Sequence, residues 1–181
     1  MPSGAERRLY WGAVLAVLAL DLVTKQLAER LLVRSTGRPV FGEWFHLRLV
    51  YNPGAAFGLD LGAQSRWIFM AVAVVAVIAL YRMSRSAAPG DWFRQLALGL
   101  VTGGAMGNLV DRIRSSQGVV DFLDLGVGTW RWPTFNVADM AVSCGAVALA
   151  ISLWREDARK ERERTAEAPS PPAPVGAPGH E

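Results

Sequence analysis

Four long apolar runs, separated by connectors that hold most of the charges, dominate the hydrophobic pattern of this chain. They cover residues 9–33, 67–81, 92–110 and 135–154. Their lengths are close to the roughly 20 apolar residues that a helix needs to cross a bilayer. The shortest run is flanked by arginines whose stems can extend it to the interfaces. The pattern predicts an all-α membrane protein with four transmembrane helices.

The connector after the first run combines strand and turn signals. Residues Phe41 to Tyr51 are aromatic and β-branched with partial alternation, which predicts short strands. The sequence Asn52-Pro53-Gly54 ends them, and residues 55–61 are amphipathic enough for a short interfacial helix. By contrast, we expect residues 114–134 to form a loop at the membrane surface in which Asp124 is solvated.

The C-terminal part of the chain changes composition at residue 156. It is charged at first and then rich in proline, a composition that cannot form a hydrophobic core. We therefore expect a membrane domain over residues 1–155 and a disordered cytoplasmic tail over residues 156–181.

Composition excludes several classes of function. The net charge of +3 would suit nucleic acid, but the basic residues lie at the ends of the apolar runs and no nucleic-acid-binding motif accompanies them. The single cysteine, Cys144, excludes an internal disulfide. The two histidines, His46 and His180, lack metal-ligand spacing, so we predict neither a metal site nor a cofactor.

Two aspartates stand in apolar surroundings where a carboxylate is costly. Asp121 lies within Val-Val-Asp-Phe-Leu, and Asp139 lies near the start of the fourth run, three residues after Asn136. Apolar surroundings raise the pKa of a carboxyl group, so the two aspartates are candidates for an acid/base pair. The alternative is structural: Asn136 would cap a helix, and Asp139 would interact favourably with the helix dipole.

Other polar residues lie inside the apolar runs. Asp21 and Lys25 are four apart in the first run, so they share a helical face and can pair. Their presence favours an uncleaved membrane helix over a cleaved leader. The pair either stabilises the bundle or supports an active site.

The third run is weakly hydrophobic and dense in glycine. Gly103 and Gly107 form a small-xxx-small pair, which lets a neighbouring helix approach closely. Close packing would bring Asn108, Asp111 and Arg112 near the fourth run. Asp111 and Arg112 could also be ordinary charges at a helix boundary.

Five ordered blocks of this sequence resemble those of bacterial lipoprotein signal peptidase (signal peptidase II). In chain order they are Asp21-Leu-Val-Thr-Lys25, Tyr51-Asn-Pro-Gly-Ala-Ala-Phe-Gly58, Gly107-Asn-Leu-Val-Asp-Arg112, Val119-Val-Asp-Phe122 and Phe135-Asn-Val-Ala-Asp139. The resemblance covers roughly residues 10–155. The ordered set is far more specific than any one block.

The resemblance implies an aspartic endopeptidase with a small extramembrane β-sheet and a short helix over its active site. Its substrates would be prolipoproteins whose conserved cysteine carries diacylglyceryl, cleaved just before that cysteine. Asp121 and Asp139 would be the catalytic pair, sharing a proton as two close carboxylates do. Substrate binding or positioning would fall to Asn52, Gly54, Asn108, Arg112, Asn136, Asp21 and Lys25.

The charge pattern predicts an orientation. Four spans place both termini on one side, and the arginines near the N-terminus, in the connector over residues 82–94 and from Arg155 onward make that side cytoplasmic. The site then opens at the outer, periplasmic face of the bacterial cytoplasmic membrane. We expect a monomer whose partners are prolipoproteins and membrane lipids, with no nucleic acid.

Two other classes of function use similar residues. A small transporter or ion-coupled membrane protein also places Asp, Asn and Arg within the membrane, but the sequence shows no convincing inverted repeat. In a non-enzymatic assembly subunit, the isolated aspartates would be structural.

Overall fold

The structure, a computed structural model, describes residues 1–54 and 62–167 and consists of long helices with a small sheet at one end. The helices are α1 (Gly4–Leu31), α2 (Ser65–Ser86), α3 (Trp92–Arg114) and α4 (Val137–Glu167), with a short 3-10 helix at Gly62–Gln64 before α2. The strands are β1 (Arg38–Phe41), β2 (Phe45–Asn52), β3 (Val119–Val127) and β4 (Trp130–Arg131). The predicted interfacial helix over residues 55–61 lies outside the described residues.

Length and composition allow three of the described helices to cross a membrane. These are α1, α2 and the stretch of α4 from Val137 to Ala166. α2 is the most apolar of them, and only 6% of its most hydrophobic 18-residue stretch is buried. Most of its surface is therefore left for lipid. The chain is therefore an integral membrane protein.

Helix α3 lies at the centre of the bundle, packed against the other three helices. Its glycines permit this: a Cβ on Gly103 would lie 2.9 Å from Cβ of Val17 in α1, and a Cβ on Gly104 would collide with the carbonyl oxygen of Ala138 in α4. The close approach predicted from the glycine spacing is confirmed. It also explains how a helix of low hydropathy can be buried, since its backbone packs directly on its neighbours.

The four strands form one antiparallel sheet in the order β1-β2-β3-β4. In its central pair Val50 lies opposite Asp121, and Asn52 lies opposite Val119. The strands predicted between Phe41 and Tyr51 are confirmed as β2 and the end of β1.

The prediction of a loop over residues 114–134 is wrong, because β3 and β4 occupy much of it. Most residues of β3 are buried, and a strand buried on both faces shows no alternation of apolar and polar residues. The prediction that Asp124 is solvated is wrong as well. Its side chain is 4% exposed and accepts from Nε of Arg131 in β4 at 2.7 Å.

The prediction of a disordered tail from residue 156 is wrong for residues 156–167, which continue α4. Ion pairs one turn apart stabilise this extension: Lys160 with Glu156 at 2.7 Å and Arg159 with Glu163 at 3.6 Å. Arg94 of α3 also contacts Glu156 at 2.7 Å. The proline-rich residues 168–181 lie outside the described part of the chain.

Candidate active site

The start of α4 and the first half of β3 bring Asp121 and Asp139 to the same side-chain amide. Nδ2 of Asn136 donates to Oδ1 of Asp121 at 2.7 Å. Oδ1 of Asn136 accepts from the backbone N–H of Asp139 at 2.9 Å. Asn136 is fully buried and Asp121 is 2% exposed, whereas Asp139 is half-buried. The two aspartates therefore meet across one buried asparagine.

Asn136 also caps α4, which begins one residue later. Besides the bond from the Asp139 amide, the backbone N–H of Asn136 donates to Oδ2 of Asp139 at 3.2 Å. This reciprocal pair is a capping box with aspartate at its third helical position. The helix cap considered for Asn136 in the structural alternative is therefore present. It does not compete with a catalytic role, because Nδ2 of Asn136 still reaches Asp121.

Asn52 holds the other oxygen of Asp121. Its Nδ2 donates to Oδ2 of Asp121 at 3.1 Å, and its Oδ1 accepts from the backbone N–H of Gly54 at 3.0 Å. Gly54 has φ +124° and is packed so that a Cβ would lie 2.7 Å from the ring of Phe69. Only glycine fits there without strain. Gly54 thus fixes the turn that orients the Asn52 amide.

Asn108 of α3 holds Asp139. Nδ2 of Asn108 donates to Oδ1 of Asp139 at 2.7 Å, and its Oδ1 accepts from Nζ of Lys25 at 3.0 Å and from Nδ2 of Asn136 at 3.1 Å. A lysine ammonium can only donate, so its contact fixes which end of the Asn108 amide is the oxygen.

The same reasoning fixes the other amides, since backbone N–H groups can only donate. The amide of Gly54 orients Asn52, and the amide of Asp139 orients Asn136. As a result, both oxygens of Asp121 and both oxygens of Asp139 accept hydrogen bonds. The network fixes both carboxyl groups in position and orientation.

Arg112 lies beside this network without bonding to either carboxylate in the described part of the chain. Its Nη1 donates to the carbonyl oxygen of Asn108 at 3.1 Å, and its guanidinium lies 5.5 Å from the ring centre of Phe69. Nε of Arg112 is buried and has no hydrogen-bond partner among the described residues.

Asp21 and Lys25 form the predicted pair at 2.7 Å, with both side chains fully buried. Asp21 also accepts from the backbone N–H of Ala138 in α4 at 2.9 Å. The pair is thus part of the framework of the site and is placed beneath it, on the α1 side.

Sequence reasoning left Asp111 out of the site. It is 3% exposed, lies 2.8 Å from Nζ of Lys25, and accepts from the backbone N–H of Val120 at 3.2 Å. A signal was available, because Gly103, Gly107 and Asp111 are spaced by four and share the α3 face that packs on α1. A charge on that face has to be buried.

Burial raises the pKa of Asp121 to about 7, and the nearby negative charge of Asp139 adds to the rise. The hydrogen bonds from Asn52 and Asn136 favour the ionised form and oppose the shift only in part. A carboxyl group with a pKa near neutrality can act as a general acid or base at physiological pH. Over residues 1–54 and 62–167, no cluster of three His, Cys, Asp or Glu side chains has the arrangement of a metal site.

Membrane helices with two hydrogen-bonded aspartates at one end define the class as a membrane protein with a candidate acid/base site. Comparison with known proteins gives the family. The family model described as signal peptidase (SPase) II matches residues 13–155, and the chain belongs to this family of aspartic peptidases. That membership favours the peptidase interpretation over the transporter and assembly-subunit interpretations.

Individual relatives agree with the family. The lipoprotein signal peptidase of Oleidesulfovibrio alaskensis is 42% identical over 143 residues, which cover 77% of this chain and 90% of the relative. That of Rhodococcus jostii is 44% identical over 158 residues, covering 83% and 75%. A solved bacterial membrane enzyme, determined by the in meso method, superposes with a TM-score of 0.74 at 28% identity and covers 82% of this chain and 88% of its own.

Proposed function

We propose that this chain removes the signal peptides of prolipoproteins whose conserved cysteine carries diacylglyceryl, cleaving the bond just before that cysteine with Asp121 and Asp139. The observation that carries the proposal is the Asn136 amide, which contacts both aspartates at once. The names of the relatives supply the substrate class, since they are lipoprotein signal peptidases.

The two aspartates take different roles because their surroundings differ. Asp121 keeps its proton up to about pH 7, so it is the acid that polarises the scissile carbonyl. Asp139 is more exposed, and as the ionised partner it draws a proton from the attacking water. The proton of Asp121 then passes to the carbonyl oxygen. As the tetrahedral intermediate collapses, the leaving amine takes up the proton held by Asp139, and Asp121 takes its proton back from the hydroxyl that formed on the carbonyl oxygen.

The amides around the pair keep it ready for substrate. Asn52, Asn108 and Asn136 each donate to a carboxylate oxygen, so the aspartates need no rearrangement before reaction. Nε of Arg112 is a buried donor with no partner in the part of the chain that the structure describes, and we assign it a substrate carbonyl.

The finer membrane arrangement also belongs to the proposal. α3 has 23 residues, and about 35 Å of helix is enough to cross a hydrocarbon core of roughly 30 Å. With α3 as a fourth span, both termini lie in the cytoplasm and the sheet lies at the outer, periplasmic face. We propose that the chain acts as a monomer.

A site at the membrane surface suits a substrate held by its own lipid. Two acyl chains confine the precursor to the bilayer, since each buried methylene contributes about 0.8 kcal/mol to partitioning. Confinement and orientation can then replace the contacts that a soluble protease makes in a deep cleft.

The test is cleavage of a diacylglyceryl-modified precursor in detergent micelles or liposomes, beside the same precursor with an unmodified cysteine. We expect cleavage of the first only, at the bond before the cysteine. Asp121→Asn and Asp139→Asn should each lose activity by at least about 1000-fold. Asp124→Asn is the matched control, because Asp124 is a buried carboxylate three residues along the same strand. Comparable cleavage of the two precursors would contradict the substrate assignment, and turnover by either variant would contradict the catalytic pair.

A further inference from the structure

Three charged side chains beneath the candidate site are almost completely buried, and the mechanism above gives them no part in proton transfer. Asp21 and Lys25 are 0% exposed and Asp111 is 3% exposed. Nζ of Lys25 lies 2.7 Å from Oδ2 of Asp21 and 2.8 Å from Oδ2 of Asp111. We call these three residues the lysine cluster. Burying three charges costs more than an apolar contact would, so such a cluster contributes little to stability by itself.

One carboxylate of the lysine cluster is bonded to the backbone next to Asp139. Oδ1 of Asp21 accepts from the backbone N–H of Ala138 at 2.9 Å. Ala138 immediately precedes Asp139 in the first turn of α4. This bond therefore fixes the start of α4 on α1 at the point from which the Asp139 side chain projects.

The other carboxylate is bonded to the backbone next to Asp121. Oδ2 of Asp111 accepts from the backbone N–H of Val120 at 3.2 Å, and Val120 immediately precedes Asp121 in β3. Each carboxylate of the cluster thus accepts from the backbone N–H of the residue before one aspartate of the pair. Lys25 links the two carboxylates.

Lys25 makes a third contact that leads to a carboxylate of the pair. Its Nζ donates to Oδ1 of Asn108 at 3.0 Å, and Nδ2 of Asn108 donates to Oδ1 of Asp139 at 2.7 Å. Each of the three acceptors of Lys25 therefore bonds either to a proposed catalytic aspartate or to the residue just before one.

We propose that the lysine cluster sets the separation and orientation of Asp121 and Asp139, with Lys25 and Asp111 as positioning residues that touch no substrate. The inference rests on the proposed function only for the identity of the reaction. The bonds from Ala138 and Val120 to the cluster exist whatever that reaction is.

The test compares Asp111→Ala with Asp111→Asn. The asparagine variant keeps an oxygen that can accept from Val120 and face Lys25, whereas the alanine variant removes it. A displacement of about 1 Å in a reacting group can cost 100-fold in rate. We therefore expect Asp111→Ala to lower kcat by about 100-fold and to change KM by less than about threefold. The kcat of Asp111→Asn should be at least about tenfold higher than that of Asp111→Ala.

A second readout does not depend on activity. Amide hydrogen exchange of the segment around Val120 should accelerate in Asp111→Ala and stay close to wild type in Asp111→Asn, while segments of α2 are unchanged. If Asp111→Ala does not fold in detergent, Lys25→Gln is the substitute, since it removes the link between the two carboxylates. For that variant we expect faster exchange around both Val120 and Ala138 and a similar loss of kcat.

Glu156→Gln is the matched control, because it breaks an ion pair with Arg94 at the opposite end of α3. It should leave kcat and exchange around Val120 unchanged. Wild-type kcat in Asp111→Ala or Lys25→Gln, with faster exchange, would overturn the positioning role. Unchanged amide exchange around Val120 in Asp111→Ala would show that the hydrogen bond from Val120 to Asp111 does not protect this segment. Failure of the wild-type chain to cleave any lipidated precursor would instead contradict the proposed function. The hydrogen-exchange result would then test by itself whether the lysine cluster holds the backbone around Val120.

Discussion

The two halves of α3 bury polar side chains in different ways. In its N-terminal half the fully buried contacts are neutral and pairwise: Gln95 bonds with Ser84 of α2, and Thr102 accepts from the hydroxyl of Tyr10 in α1 at 3.1 Å. The charged contact of this half, from Arg94 to Glu156, is partly exposed. In each neutral pair the hydrogen bonds join two helices and, within the described part of the chain, do not extend into a longer network. Such pairs join two helices and suffice to explain their own burial.

The C-terminal half of α3 carries charges and a continuous network. Asn108 and Asp111 bond to α1, β3 and α4 at once, and the bonds continue to Asp121 through Asn136. Neutral pairs would have joined the helices at lower cost, because buried charges lose their hydration. The difference is what we expect if the first half of α3 serves packing and the second half serves the proposed site.

Among substitutions that compare the two halves of α3, we expect the largest loss of kcat from a change at Asn136, which bonds to the C-terminal half. In Asn136→Ala the amide that contacts both aspartates is gone, and the cap of α4 is lost with it. We expect kcat to fall by about 1000-fold, as when a preorganised polar contact to the reacting groups is removed. Steady-state cleavage of a lipidated precursor measures this. Activity within about tenfold of wild type would mean that the network does not organise the aspartates.

A smaller effect is expected at Gly54, which contacts the pair only through Asn52. In Gly54→Ala the new methyl group meets Phe69, and φ +124° is strained for alanine. The Asn52 amide should then shift away from Asp121 and kcat should fall by about 30-fold. Gly90→Ala is the control, because Gly90 has φ +90° with nothing within 4 Å of a Cβ. Equal losses in both variants would show that backbone strain, and not the position of Asn52, is responsible.

The smallest effect on activity is expected in the packing half of α3. Thr102→Val keeps the shape of the side chain but removes the acceptor for Tyr10. We expect a loss of about 1 kcal/mol in unfolding free energy and kcat within about twofold of wild type. Thermal unfolding and kinetics on one preparation measure both. A loss of kcat comparable to that of Asn136→Ala would remove the distinction between the two halves.

Local features of the sequence were enough for much of this picture. The apolar runs give the helices, the spacing of four gives the Asp21–Lys25 pair, and the glycines of α3 give its close packing. Asp121 and Asp139 stand out because carboxylates are costly in apolar segments. Their catalytic role stays a prediction.

What escaped prediction depends on contacts between distant segments. β3 is covered on both faces and therefore shows no alternation, so its sequence predicts a loop instead of a strand. Asp111 looked like a boundary charge because only the packing of α3 on α1 places it against Lys25. The helix over residues 156–167 depends on ion pairs one turn apart, which outweigh the absence of an apolar face.

The central claim is that burial and Asp139 together keep Asp121 protonated near neutral pH, and the pKa of Asp121 tests it most directly. In protein labelled with ¹³C at the aspartate carboxyl groups, the Asp121 signal should titrate near pH 7. In Asp139→Asn it should titrate lower, because one negative charge is removed. Cleavage should fall as pH rises through the same value, since the acid form of Asp121 is lost above its pKa. An Asp121 signal that titrates near pH 4 and does not respond to Asp139→Asn would contradict the account.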